Sequence, residues 1–117
     1  MKIELNDKLR DFIRNKYDII RAVEEAIFEV TGLTIEDLRG PKRNTNHVFA
    51  RMIFANICIE KVRPSVLLAS YINKDHSSLV YWQSKHGQYS KYDALYSFML
   101  EEVQTVLKQK KEEYGII

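Results

Sequence analysis

The sequence predicts an all-α domain of about six helices, and two observations predict it. Gly and Pro are scarce, four and two in 117 residues, so few positions interrupt a helix. Apolar residues recur at steps of three and four over long stretches, which is the helical period rather than the alternation of a strand. The length argues for a single domain spanning 1–117. Apolar residues at 45% and charged residues at 29% are ordinary for a folded chain.

The first helix is expected over residues 7–31, with Asn6 as its N-cap. Leu9, Phe12, Ile13, Tyr17, Ile20, Val23, Ile27 and Val30 form its stripe, and Gly32 stops it. Thr34, followed by Ile35, Glu36 and Asp37, reads as a cap and an acidic first turn of a very short helix. Residues 40–46, "GPKRNTN", form a turn-rich loop with two cations. A third helix is expected over 46–62. Its seam of Val48, Met52, Ala55, Ile59 and Val62, widened by Phe49, Ile53 and Ile57, suggests a central helix buried on several sides. Pro64 ends it, and Ser65 caps a short fourth helix, "VLLASYI". Asn73 and Lys74 make a tight turn. Asp75 caps a fifth helix over 76–86 that Gly87 ends. Ser90 caps a sixth over 91–111, with Leu95, Met99, Val103 and Val106 as its seam. Residues 65–86 therefore read as a helix-turn-helix.

Composition excludes several classes. No run of about 18 apolar residues exists, so no membrane span is expected. The opening "MKIELNDKLRD" has charges where a signal peptide needs an apolar region. Cys58 stands alone, so no intramolecular disulfide can form, and a cytoplasmic protein is expected. The charge is unevenly spread. Between Arg39 and Lys91 lie nine basic residues against only Glu60 and Asp75, a segment of +7, while the remainder carries −5. A basic middle between acidic ends suggests a surface that faces a polyanion.

The stretch "NKDHSSLVYW", residues 73–82, gathers the groups with chemistry. Asp75, His76 and Ser77 cannot form a hydrolytic triad, because neighbours in a helix diverge around its circumference. His47, His76 and His86 show no metal-ligand spacing, and Cys58 has no partner. No glycine-rich phosphate loop is present, so neither a nucleotide nor another cofactor is expected, and no catalysis. Short polar side chains at a helix start do suit duplex DNA, whose base edges and phosphates they can bond. Asp75 can cap the helix or accept from a cytosine amino group. His76, Ser77 and Ser78 can bond bases or phosphates, and Tyr81 can meet a thymine methyl one turn later.

Three blocks, "TGLTIEDLRGPKRN" (31–44), "ARMIFANICIE" (50–60) and "INKDHSSLVYW" (72–82), come in the order and at close to the spacing of a known family. The chain resembles the C-terminal origin-binding domain of the bacterial replication initiator DnaA, over about residues 23–86. The resemblance implies a core of that type over 23–86; it does not account for 1–22 and 88–117, which are expected as additional helices packed on that core. It implies that Arg43 enters the minor groove with Lys42 supporting it at the phosphates, and that Arg51 touches the backbone. Lys74 stands where the family signature has Arg. Asp75, His76, Ser77 and Ser78 fall on the residues that read the major groove. Tyr81 and Lys85, further along the same helix, complete the expected DNA-binding set.

The chain departs from that family in four places. Asn73 replaces a Gly, and the turn before Lys74 is about one residue shorter. "PSVLLAS" lacks the usual Pro-Glu-Ile-Gly. Tyr81 and Trp82 stand where His and Ala are usual, so Trp82 must be repacked or left exposed. The ATPase module is absent. The expectation is a non-catalytic, sequence-preferring binder of double-stranded DNA that regulates replication or transcription, bacterial and nucleoid-associated. The alternative is a protein-interaction module that keeps the fold and has lost specific DNA binding. A homodimer or protein partner could use the C-terminal helix, rich in Tyr92, Tyr96, Phe98 and Met99.

Overall fold

In a computed structural model the backbone is described for residues 2–115 and the side chains for 16–115. The chain is all-helical, in the order α1 (Lys2–Thr31), α2 (Ile35–Arg39), α3 (Thr45–Cys58), α4 (Ser65–Tyr71), α5 (His76–Tyr92) and α6 (Ala94–Tyr114). The first helix starts at Lys2, so Asn6 is not its cap. The expected packing of residues 7–15 falls on side chains outside the described set.

Helix α3 is the axis of the domain. Phe49, Ala50, Met52, Ile53, Phe54, Ala55 and Cys58 are all buried, on every side of the helix. Around it close α1 (Ile19, Ile20, Ala22, Val23, Ala26, Ile27), α5 (Leu79, Trp82) and α6 (Tyr96, Met99, Leu100, Val103, Leu107). The largest helix–helix interface joins α1 to α6. The two run antiparallel: Lys110 Nζ lies 2.7 Å from Glu29, while Tyr114 Oη donates to Glu25 at 2.7 Å.

Local signals decide most of the ends. Thr34 and Asp37 form a reciprocal capping box, with Thr34 N donating to Asp37 Oδ2 at 2.8 Å and Asp37 N to Thr34 Oγ1 at 3.2 Å. The bonds that the Asp37 carboxylate accepts from Thr34 N and Thr34 Oγ1 hold it below its ordinary pKa. Gly32 takes φ +75° just past α1.

Further boundaries differ from expectation. Helix α3 ends at Cys58, and the chain continues as a turn in which Lys61 N and Val62 N donate to the Cys58 carbonyl. A residue before proline is pushed out of helical geometry, so no helix reaches Pro64. Helix α5 runs through Gly87 to Tyr92. Its continuation is anchored by Tyr89, whose ring packs against Phe49 and Tyr96 at 5.8 Å each. Ser90 is interior to α5, its hydroxyl donating to His86 O, and Asp93 caps α6 by accepting from Tyr96 N at 3.0 Å. The seam of α6 is also rotated: Tyr96 is fully buried and Leu95 faces outward. The reason is chemical. The Tyr96 hydroxyl meets His86 Nδ1 at 2.6 Å, and its ring packs edge-on against Phe49 at 5.2 Å.

Candidate nucleic-acid interface

The helix-turn-helix corner is built by a Schellman motif. Asn73 follows the C-cap Ile72 with φ +56°, the left-handed region that Asn tolerates better than most residues. Asn73 N donates to Ser70 O at 3.0 Å and Lys74 N to Ala69 O at 2.9 Å, which satisfies the last carbonyls of α4. The asparagine thus does the turning that a glycine does elsewhere. Helix α5 then leaves the corner at Asp75. Leu79 and Trp82 point into the core, the latter only 8% exposed. Trp82 is thus held within the core rather than left outside, and its carbonyl accepts from Asn56 Nδ2 of α3 at 3.3 Å.

Asp75, His76 and Ser77 are exposed at the tip of α5, and Ser78 is half-buried behind them. Asp75 occupies the N-cap position, yet its carboxylate makes no capping bond. His76 Nε2 shares a 2.7 Å hydrogen bond with Ser65 Oγ, which ties the first turn of α5 to the first turn of α4. Sequence reasoning treated Ser65 only as a cap; it makes no capping bond, because α4 starts at Ser65 with Pro64 in the cap position. Val66, Ala69, Ser70, Asn73, Lys74, Asp75 and His76 line a surface cleft at the corner.

The cations divide into two kinds. Lys42 and Arg43 are exposed on the loop between α2 and α3, just before an α3 N-terminus whose cap residue Asn44 makes no side-chain bond. Arg51 was expected at the DNA backbone, but it is only 3% exposed. Its Nε donates to Leu38 O and its Nη2 to Gly40 O, both at 2.8 Å, with Asp37 O at 3.4 Å. Lys74 Nζ donates to Gly40 O at 2.7 Å and Arg39 O at 3.3 Å. Arg51 and Lys74 therefore grip the end of α2 and hold the loop that carries Lys42 and Arg43. Burial lowers the pKa of both, and Arg43 lowers each further; Arg51 also lowers Lys74. The three cations converge within electrostatic range of one another, beside the corner from which α5 starts.

Arg39 joins this group without having been singled out. Its guanidinium lies 4.8 Å over the Tyr71 ring and its Nε donates to Tyr71 O at 2.8 Å, so it links α2 to α4. The signal for it was its place in the basic segment. Further along α5, Tyr81 is exposed and Lys85 half-buried, with Lys85 Nζ 5.8 Å over the Tyr81 ring.

Two histidines sit elsewhere. His47 is buried in the first turn of α3 and its Nδ1 has no hydrogen-bond partner among the described residues. His86 is spent on Tyr96, and burial lowers its pKa. Among the described residues no group of three or more His, Cys, Asp or Glu side chains could hold a metal ion, and no helix is long and apolar enough to cross a membrane. No family model, curated protein or solved structure matches the chain, so the reading of this surface rests on its own geometry.

Proposed function

We propose that this chain is a sequence-preferring, non-catalytic double-stranded DNA-binding protein of the helix-turn-helix type, acting in control of replication or transcription in the bacterial cytoplasm. One observation carries the reading: an exposed helix start bearing Asp75, His76 and Ser77, with Lys74 just before it, stands beside cations from two other parts of the chain, Arg43 of the α2–α3 loop and Arg51 of α3. Duplex DNA supplies phosphates that relieve the repulsion among those cations, and its grooves admit a helix tip. In this reading Lys42 and Arg43 contact the DNA, with Arg43 probing a narrow A/T-rich minor groove. Arg51 and Lys74 hold the loop that presents them. Asp75, His76, Ser77 and Ser78 address the major groove, Ser65 sets the His76 ring, and Tyr81 with Lys85 flanks the contact.

The test is a fluorescence-anisotropy titration against random and A/T-rich duplexes over a range of salt. Binding is expected to weaken steeply as salt rises. Arg43→Ala is expected to reduce the preference for A/T-rich duplexes by roughly tenfold while leaving the fold intact. No binding to any duplex at low salt would reject DNA as the partner and favour a protein-interaction module. An equal loss on all duplexes would reject the minor-groove role of Arg43.

A further inference from the structure

A cleft of about 280 Å³ opens between the end of α3, His86 of α5 and the second half of α6. His86 lies nearly three turns beyond His76, roughly 15 Å along α5, so the cleft is set apart from the helix-turn-helix corner.

The sides of this cleft differ in chemistry. The α3 side offers acceptors. Asn56 Nδ2 donates to Met52 O at 2.8 Å and to Trp82 O at 3.3 Å, so both amide protons are spent and Oδ1 is left to accept. Glu60, one turn on, is exposed and has no ion-pair partner among the described residues. The α6 side offers cations. Lys108 and Lys111 share a helix face, while Lys110 takes the pairs with Glu25, Glu29 and Glu113. Among the described residues neither Lys108 nor Lys111 has an ion-pair partner. The rest of the lining is largely apolar, with Leu100 and Leu107 buried and Ile57 half-buried.

Helix α5 adds a neutral donor. Tyr96 is fully buried and its hydroxyl meets His86 Nδ1 at 2.6 Å, with no second partner among the described residues. A buried hydroxyl must place its proton, so Nδ1 accepts and the ring carries its own proton on Nε2. Burial of the ring keeps it neutral. Neither Asn56 Oδ1 nor His86 Nε2 is sealed in: among the described residues His47 Nδ1 is the one buried side-chain nitrogen or oxygen without a partner.

Separated charges select the ligand. The lysines attract a plain anion and Glu60 repels it; a plain cation meets the reverse. A zwitterion satisfies both sides. The volume equals the share of about nine water molecules, which suits a molecule of roughly ten non-hydrogen atoms. We propose that the cleft binds a free α-amino acid with an apolar side chain. Its carboxylate pairs with Lys108 and Lys111 and accepts from His86 Nε2. Its ammonium donates to Asn56 Oδ1 and Glu60, and its side chain covers Ile57, Leu100 and Leu107.

Titration of the nitrogen-15-labelled full chain with leucine and with phenylalanine, followed by amide NMR shifts, tests it. At least one of the two is expected to saturate with a dissociation constant on the order of 0.1–1 mM, moving amides at the end of α3, around His86 and along the second half of α6. N-acetyl-leucine lacks the ammonium and leucinamide the carboxylate; each is expected to bind at least about tenfold more weakly than leucine. Glu60→Gln is expected to weaken leucine by roughly threefold or more and to leave N-acetyl-leucine unchanged. Lys108→Gln combined with Lys111→Gln is expected to weaken leucine similarly and to spare leucinamide. Should the double variant melt early, Lys108→Gln alone makes the same test. Saturation by neither amino acid, or shifts confined to another surface, would overturn the inference. So would capped forms that bind as well as leucine, or variants that bind every probe like the wild type. No readout involves a duplex, so failure here leaves the DNA reading standing.

Discussion

Replacing Arg51 with Met would measure how firmly the basic loop is held. Methionine keeps much of the stem and deletes the guanidinium. The change removes donors from Leu38 O and Gly40 O, each bonded at 2.8 Å. Hydrogen bonds from a charged donor are worth about 1.5–3 kcal/mol each, so the gross loss is about 3–6 kcal/mol. Two effects reduce it. A buried cation no longer has to be desolvated, and its repulsion from Arg43 and Lys74 disappears. The Leu38 carbonyl lies behind a buried side chain, whereas the Gly40 carbonyl keeps Lys74 Nζ as a donor at 2.7 Å and is partly open to water. The net cost is about 2–3 kcal/mol, which for a domain of this size lowers the melting temperature by roughly 10 °C. Urea unfolding followed by circular dichroism and by the fluorescence of the buried Trp82 provides the assay. Arg51→Lys is the sharper comparison. It keeps the charge but not the planar fork, and should still lose about 1 kcal/mol or more. A fully stable Arg51→Lys protein, or a loss below about 0.5 kcal/mol for Arg51→Met, would show that the loop does not depend on these carbonyl bonds.

Gly87→Ala should stabilise the protein by about 0.5–1 kcal/mol, measured by urea unfolding, since Gly87 lies inside α5 and a Cβ there meets nothing within 4 Å. His86 provides a pH dependence. Burial, opposed by Glu60, lowers its folded pKa below 6.5, so the unfolded chain takes up the proton first as pH falls. Its contribution is complete above pH 6.5 and is lost below it, and His86→Gln should flatten the decline in melting temperature between about pH 7 and 5. Finally, moderate salt should stabilise the wild-type protein more than Arg43→Ala, by roughly 1 °C or more in a thermal-shift assay. Salt screens a repulsion that the variant no longer has.

Chemistry confined to a few neighbouring residues was legible in the sequence. The Thr34 cap, the Gly32 stop and the tight turn at Asn73 each depend on one turn of chain, and each is where the pattern put it. The all-helical class and the buried α3 follow from periodicity that no local break interrupts. What escaped was set by tertiary partners. Gly87 looks like a stop until Tyr89 is seen packed on Phe49 and Tyr96. Leu95 and Tyr96 are equally apolar by pattern, and only the His86 contact turns the tyrosine inward. Arg51 belongs to a basic segment by composition but to the core by position, because carbonyls thirteen and eleven residues earlier need its donors. At the candidate site, sequence placed Asp75, His76 and Ser77 at the start of α5. It could not see the bond from His76 to Ser65, whose residues lie eleven apart.

The pairing of α1 with α6 has a consequence for synthesis. The apolar side of α1, from Ile19 to Ile27, packs partly on α3 and finds the rest of its cover in a helix that leaves the ribosome some eighty residues later. Until then part of that stripe travels uncovered, a natural hold for chaperones and a site of mispairing between nascent neighbours. Final closure must draw together distant stretches of polypeptide, so this bundle should mature more slowly than its helical content alone suggests.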